Sequence, residues 1–201
     1  MAFNINEFVS RGLPLGGARP TLFQVTIKFP QGAGFGAPEI SQGQEQLRFV
    51  CRASSIPASN IASIDVPYFG RKVKVSGDRT FDDWAVTVMN DEDYIVRRAF
   101  ETWHSAINSI IPNIKSAAQP GEAAPTGYKG IATVTHFGKQ GKPISEYQFV
   151  NIFPTQIEAM NLDWEATNTI QTFGVRFAYD YWLPFAATGG TIDGGSFSQA
   201  L

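Results

Sequence analysis

The sequence predicts a mainly β fold, a sandwich or barrel of about eight strands with one flanking helix. Three observations carry that expectation. Apolar and polar residues alternate along many short runs, turn signals rich in Gly, Pro and Asp separate the runs, and a single stretch repeats with a helical period. The chain has 201 residues, enough for one domain with a sizeable core.

The first twenty residues end in Gly-Leu-Pro-Leu-Gly-Gly-Ala-Arg-Pro and form an irregular N-terminal arm over 1–20. A β domain is expected over 21–184. Phe23, Val25, Ile27 and Phe29 alternate with Gln24, Thr26 and Lys28, the pattern of a half-buried strand. Pro30 stops it, and 31–46 is expected to be a Gly-rich loop. Leu47, Phe49 and Cys51 alternate again, giving a second strand that Pro57 interrupts. Ile61, Ile64 and Val66 lead to Pro67. Over 68–76, Lys72 and Lys74 alternate with Val73 and Val75 before a Gly77-Asp78 turn. A strand over 81–89 puts Trp84, Val86 and Val88 on one face.

The helix is expected at about 91–111. Asn90 suits an N-cap, and Asp91, Glu92 and Asp93 suit the positive end of the helix dipole. Met89 and Tyr94 have the spacing of a hydrophobic staple. Val96, Ala99, Phe100, Trp103, Ile107 and Ile110 form one apolar stripe, and Pro112 ends the helix. With a single apolar face, it should pack on the outside of a sheet. A loop over 115–126 precedes strands at 128–137, 146–153, 155–164 and 170–182, the first two joined by a hairpin loop at 139–142. In the last strand Phe173, Val175, Phe177, Tyr179 and Tyr181 share a face. From 185 to 201 the chain is rich in Gly, Ser and Thr, a flexible C-terminal extension.

Charged residues make up 17% of the chain, against roughly 25% in a typical soluble domain. Aromatic residues make up 13%, including sixteen Phe, and this pairing of few charges with many rings suits interface cores and equally a neutral β domain with a large core. A net charge of −2 argues against tight binding of nucleic acid by counterion release. The single cysteine, Cys51, excludes an internal disulfide framework. Residues 1–8 lack a basic n-region with an apolar run, and no stretch has the length of a membrane span, so neither secretion nor membrane binding by this chain is expected.

Residues with catalytic chemistry are sparse, and no catalytic, cofactor-binding or metal site is expected. His104 sits at the edge of the helical stripe and His136 in a strand, both as surface or interface histidines. Cys51 shares a strand face with Leu47 and Phe49, as a small buried residue. Asp91, Glu92 and Asp93 lack calcium-loop spacing, and helix-dipole compensation accounts for them. The Gly32-Ala-Gly-Phe-Gly36 run lacks the strand-turn-helix context of a phosphate loop. Arg71, Lys72 and Lys74 beside Tyr68 and Phe69 have the makings of a single-strand-binding patch. In a chain of net charge −2 a solvated hairpin or a subunit contact is the better reading.

The segment Val66-Pro-Tyr-Phe-Gly-Arg-Lys-Val-Lys-Val-Ser-Gly-Asp-Arg-Thr-Phe81 resembles the signature of the tail tube protein family of contractile-tailed bacteriophages. The resemblance continues through Trp84 and Val86, Asn90-Asp-Glu-Asp93, Arg97, Phe100, Trp103 and Ala-Ile-Asn at 106–108. It resumes at Tyr147-Gln-Phe-Val-Asn-Ile-Phe-Pro-Thr155, Leu162-Asp-Trp164 and Phe177-Ala-Tyr-Asp-Tyr-Trp182, so ordered blocks cover about 20–183. It implies two packed antiparallel sheets, a β-sandwich or partial barrel with a flanking helix. It also implies hexameric rings of this chain stacked into a tube, a virion component made in the host cytoplasm. The implied partners are other copies of itself, a tail sheath outside, and baseplate and tail terminator proteins at the ends. A tape-measure protein and transiently double-stranded DNA would occupy the lumen. No cofactor is implied.

The resemblance also places the hairpin or loop around 68–80 against the next ring. The inter-ring candidates are Tyr68, Phe69, Arg71, Lys72, Lys74, Asp78 and Arg79. Because a lysine-lined wall would hold DNA, Gln156, Glu158, Asn161, Asp163 and Glu165 are candidates for the lumen. Related readings are a tube-like subunit of another contractile injection system or of a baseplate end. A reading of another class is an oligonucleotide-binding β-barrel module.

Overall fold

A single long strand joins two antiparallel sheets. The computed structural model describes residues 5–13, 16–30, 38–113 and 127–186. Along the chain run α1 (Ile5–Glu7, continued by a π-helical turn, Phe8–Gly12), β1 (Phe23–Lys28), α2 (Pro38–Val50) and β2 (Cys51–Ser54). There follow β3 (Ser59–Tyr68), β4 (Arg71–Phe81), β5 (Trp84–Met89) and α3 (Ile95–Ile107). The remaining strands are β6 (Gly130–Phe137), β7 (Pro143–Ile157), β8 (Thr172–Ala178) and β9 (Tyr181–Ala186). The strand path is β1-β6-β7-β8-β5-β2, with β9 added to β7 and with β3-β4 as a separate pair. The N-terminal part of β7 pairs with β6 and β9, and its C-terminal end pairs with β8. The strand therefore leaves one sheet and enters the other, with a register shift between Pro154 and Gln156. Two sheets sharing a strand in this way form the expected sandwich, and the path does not close into a barrel.

Both inner faces meet in an aromatic core. Trp84 stacks on Phe149 with centroids 4.5 Å apart, and Phe177 lies 5.3 Å from Trp84. Helix α3 closes the open side of the sandwich. Its buried stripe is Val96, Ala99, Phe100 and Trp103. Phe100 meets Phe29, Phe173 and Phe177, while the Trp103 Nε1–H donates to the Tyr128 carbonyl at 2.8 Å. That bond satisfies the indole's polar end in a buried setting.

Several boundaries differ from the sequence expectation. Residues 38–50 form a helix where a loop running into a strand is expected. Ile40 and Leu47, seven residues apart and both buried, lie on one helical face. Phe49, which alternation places inward, is exposed. Gly43 is not a loop signal: it lets α2 cross α3 closely, since a Cβ there would sit 2.6 Å from the Ala99 Cβ.

Helix α3 begins at Ile95 rather than about 91. Its preceding residue, Tyr94, is left-handed at φ 53°, so the Met89–Tyr94 staple spacing does not apply. Asn90 is not the N-cap: its Nδ2 donates to Gln171 Oε1 at 3.1 Å, tying the turn to a neighbouring segment. Asp91 accepts the Glu92 amide at 2.8 Å, so the acidic run builds a turn ahead of the helix. The helix ends at Ile107, and Ile110 and Ile111 stand in solvent beyond it.

The strands expected at 146–153 and 155–164 are one strand as far as Ile157, followed by an irregular segment over 158–171. Pro154 is no breaker, because a residue without an N–H is tolerated at a bulge. The strand expected at 170–182 divides in two. Tyr179 and Asp180 turn the chain from β8 into β9, and the Asp180 carboxylate anchors that turn by accepting from Lys129 Nζ at 3.2 Å and Asn151 Nδ2 at 2.7 Å. Phe185 belongs to β9, while 31–37, the loop expected at 115–126 and the segment beyond Ala186 lie outside the described residues.

The α2–α3 crossing should be intolerant of bulk. Gly43→Leu is expected to lower unfolding free energy by ~1–3 kcal/mol through overpacking against Ala99, measured as a shift in the urea midpoint. An unchanged midpoint would show that the helices are free to separate.

Candidate assembly surfaces

The β3–β4 hairpin holds the largest group of apolar residues outside the core. At ~3.3 Å per residue its arms reach roughly 33 Å. All ten residues of β3 are exposed, and neither arm pairs with another strand. The register makes it a ribbon with two unlike faces. Ile64 pairs with Val75, Val66 with Val73 and Tyr68 with Arg71, which puts these six on one face. Asp65, Pro67, Lys72 and Lys74 occupy the other, where Lys72 Nζ lies 3.5 Å from Asp65 Oδ2. Asp78 and Arg79 lie nearer the base of the ribbon, next to a bulge between Ile61 and Ser63.

Phe69 and Gly70 close the tip. Both have positive φ, 43° and 79°, as a two-residue hairpin turn that follows the strand twist requires. Glycine suits that geometry, but phenylalanine does not, and the left-handed region costs a bulky residue ~1–2 kcal/mol. Phe69 is 92% exposed and packs its ring on Tyr68, edge to face at 4.7 Å. A large apolar ring held in unfavourable backbone geometry and left in water has no use within its own fold.

The structure gathers the inter-ring candidates Tyr68, Phe69, Arg71, Lys72 and Lys74 at the distal end of this ribbon. It does not gather the lumen candidates on one strand face. Gln156 lies on β7, whereas Glu158, Asn161, Asp163 and Glu165 lie on the irregular segment. Glu158 is engaged: its Oε1 is 3.2 Å from Arg176 Nε, and its amide donates to the Gly174 carbonyl at 2.8 Å. Asp163 accepts the Glu165 amide at 2.9 Å. Between them sit Leu162 and Trp164, the latter fully exposed. Both fall in the strand expected at 155–164, which the structure ends at Ile157. The cluster of Asn and Thr that follows them is the available signal for a loop.

The residues with chemical potential are in structural use. His136 Nε2 lies 2.7 Å from the Arg19 carbonyl and fixes the segment before β1. Burial pushes the Cys51 thiol up to about 12, which keeps it protonated and unreactive at neutral pH. Among the described residues no group of three or more His, Cys, Asp and Glu side chains is arranged to hold a metal ion.

The family model for phage tail tube proteins matches residues 18–184. Over 166 residues the chain is 39% identical to tail tube protein gp19 of Enterobacteria phage T4, covering 82% of this chain and 90% of that protein. Its fold is similar to that of a chain in the anti-feeding prophage baseplate, with a TM-score of 0.60 at 9% identity over 85% of this chain and 97% of that one. It is also similar to a chain of the sheath–tube complex of an extracellular contractile injection system, PVC, in the extended state. That match has a TM-score of 0.56 at 12% identity over 92% of this chain and 99% of the other.

An aromatic clamp holds the root of the ribbon to the body. Phe81 lies 6.0 Å from Tyr179 and 6.3 Å from Trp182, and the Tyr179 hydroxyl donates to the Asp82 carbonyl at 2.6 Å. Trp84 Nε1 donates to Ser54 Oγ at 3.1 Å on the other side of the root. Burial, and then the charges of Asp82 and Asp83, push the Tyr179 phenol up to about 12. Because the folded value exceeds the ordinary one, the clamp's contribution is complete below pH ~10 and is lost as pH rises towards ~12. Tyr179→Phe is expected to remove the last phenol to ionise in a spectroscopic titration and to flatten the alkaline loss of stability in that window. Simultaneous ionisation of all six tyrosines at their ordinary value would contradict the clamp.

Proposed function

The chain belongs to the phage tail tube protein family, and we propose that its copies close into six-membered rings whose β3–β4 ribbons join each ring to the next. As a tail tube protein it is a structural component of the virion, the subunit of the inner tube of a contractile tail. The observation that carries the ring-to-ring role is the ribbon itself. A two-stranded hairpin is marginal in water at best, and this one presents Ile64, Val66, Val73 and Val75 to solvent on a single face. Burial against another subunit removes that surface from water and makes the strain at Phe69 worth keeping.

The edges support ring closure. Among the described residues β1 and β2 each end the strand path with one partner, and β9 pairs only with β7. Such edges are covered when neighbouring copies pair across them in a closed ring. Outside the tube this reading places a sheath, in keeping with the sheath–tube complex of which one chain has a similar fold, with terminator and baseplate proteins at the ends. In the lumen it places a tape-measure protein during assembly and double-stranded DNA at ejection, past a wall without the basic excess that would retain phosphate. The subunits are made in the host cytoplasm. No catalytic step is assigned to them.

Deleting 68–75 and rejoining the arms through an Asn-Gly turn is expected to leave a folded subunit that cannot elongate. Circular dichroism checks the fold, and negative-stain electron microscopy at high protein concentration counts tubes. Tubes of normal length from the deleted protein would defeat the ring-to-ring role.

A further inference from the structure

The ribbon's root lies at one end of the second sheet, and another exposed apolar group lies at the opposite end. The ribbon is inserted between β2 and β5, at the end of the sheet where Trp84 pairs with Phe177. The irregular segment 158–171 is inserted between β7 and β8, at the end where Met89 pairs with Thr172. Six residues of β5 separate the two ends, ~20 Å of strand. The acidic turn that follows β5 is bound to this segment: Asn90 N–H donates to the Gln171 carbonyl at 2.8 Å, and the Tyr94 hydroxyl donates to Gln171 Oε1 at 3.1 Å.

The two ends are chemically complementary. The ribbon tip is an apolar pair, Tyr68 and Phe69, beside Arg71, Lys72 and Lys74. The opposite end is an apolar pair, Leu162 and Trp164, flanked by Asp163 and Glu165, with Glu92 and Asp93 on the adjoining turn. From 158 to 171 there is no lysine or arginine. Trp164 is fully exposed and Leu162 is 82% exposed, so neither supports its own subunit's core.

We propose that segment 158–171, with the adjoining acidic turn, is the seat for the ribbon tip of a copy in the next ring; the assignment rests on the tube-subunit reading above. The ribbon's root and the seat lie at opposite ends of one sheet, and Tyr68, Phe69, Leu162 and Trp164 are all exposed, so the tip is not seated on its own subunit. Each copy offers its tip to one neighbour and its seat to another. That is a heterologous contact, which propagates along an axis without closing. Apolar rings would provide the buried centre of the joint, and the opposite charges around them would fix which end meets which. The acidic charge that nominates Asp163 and Glu165 for the channel wall is thereby assigned to the joint between rings.

The test separates seat from tip. Asp163→Lys with Glu165→Lys, and separately Arg71→Glu with Lys74→Glu, are each expected to shorten tubes at least tenfold at equal protein concentration. All four substitutions in one chain restore attraction and should return most of the length. A second variant, Phe69→Cys with Trp164→Cys on a Cys51→Ser background, should give a ladder of disulfide-linked chains when assembled tubes are oxidised. Shortening by the tip pair alone, with seat variants normal and no ladder, overturns the seat while leaving the tube-subunit reading intact. Normal tubes from both charge pairs overturn the seat and the ribbon's ring-to-ring role together.

Discussion

The structure depends on one constraint: among the described residues nothing covers the apolar face of the two-stranded ribbon. Everything in the body is arranged to hold the ribbon out rather than to cover it. The core is complete without it, since Trp84, Phe149, Phe177, Phe100 and Trp103 contact one another and no residue of β3 is buried. A monomer therefore carries apolar surface that is stable only when another molecule arrives. Net stability of a domain is a small difference of large terms, so exposing such a ribbon is tolerated because the sandwich stands by itself.

Holding a long ribbon at a defined angle requires a stiff root, and the root is where the aromatic residues concentrate outside the core. Phe81 packs against Tyr179 of the β8–β9 turn and Trp182 of β9. That turn is in turn fixed by Asp180 to Lys129 and Asn151. Asn151 takes the left-handed conformation at φ 60° in the middle of β7, near the point where that strand starts toward the second sheet. The bend that lets β7 serve both sheets and the clamp that aims the ribbon are thus neighbouring parts of one network. Tyr179 and Trp182 also pack on Phe149 and Tyr147 of the same strand.

Much of this was legible in the sequence, and the misses have physical causes. Period-two alternation located β1, β5 and β6 because each has one apolar face, whereas the hairpin came from the family resemblance and the turn expected at Gly77-Asp78 lies inside β4. The same rule failed at Leu162 and Trp164, where alternation marks surface kept for another molecule rather than a strand. Proline misled at Pro154, whose missing donor falls at a bulge, and glycine misled at Gly43, whose missing side chain makes room for Ala99. The spacing of Ile40 and Leu47 was available as a helix signal but was outweighed by the glycines before it. Asn90 has an N-cap's chemistry, yet its amide is spent on Gln171, a tertiary contact that local sequence does not contain. The site residues at the ribbon tip were legible as a basic and aromatic group. Their receptor was not, because its two pieces, 91–93 and 158–171, are distant in sequence and meet only through the β5–β8 pairing.

Assembly from such a subunit has to be ordered, because its open edges are also open to wrong partners. The chain blunts them. β2 is four residues long, β9 carries Pro184, and β3 carries Pro67 close to its tip. Short edges, and prolines that remove a ladder donor, weaken unguided strand pairing. What remains attractive at long range is charge, and charge separated to opposite ends gives direction to an encounter before any strand edge is in register. Backbone pairing is short-ranged and tolerant of partner identity, whereas a basic tip and an acidic seat discriminate one end of the subunit from the other. A chain of net charge −2 allows this without a large overall field, because the basic tip and the acidic segment offset each other within one subunit.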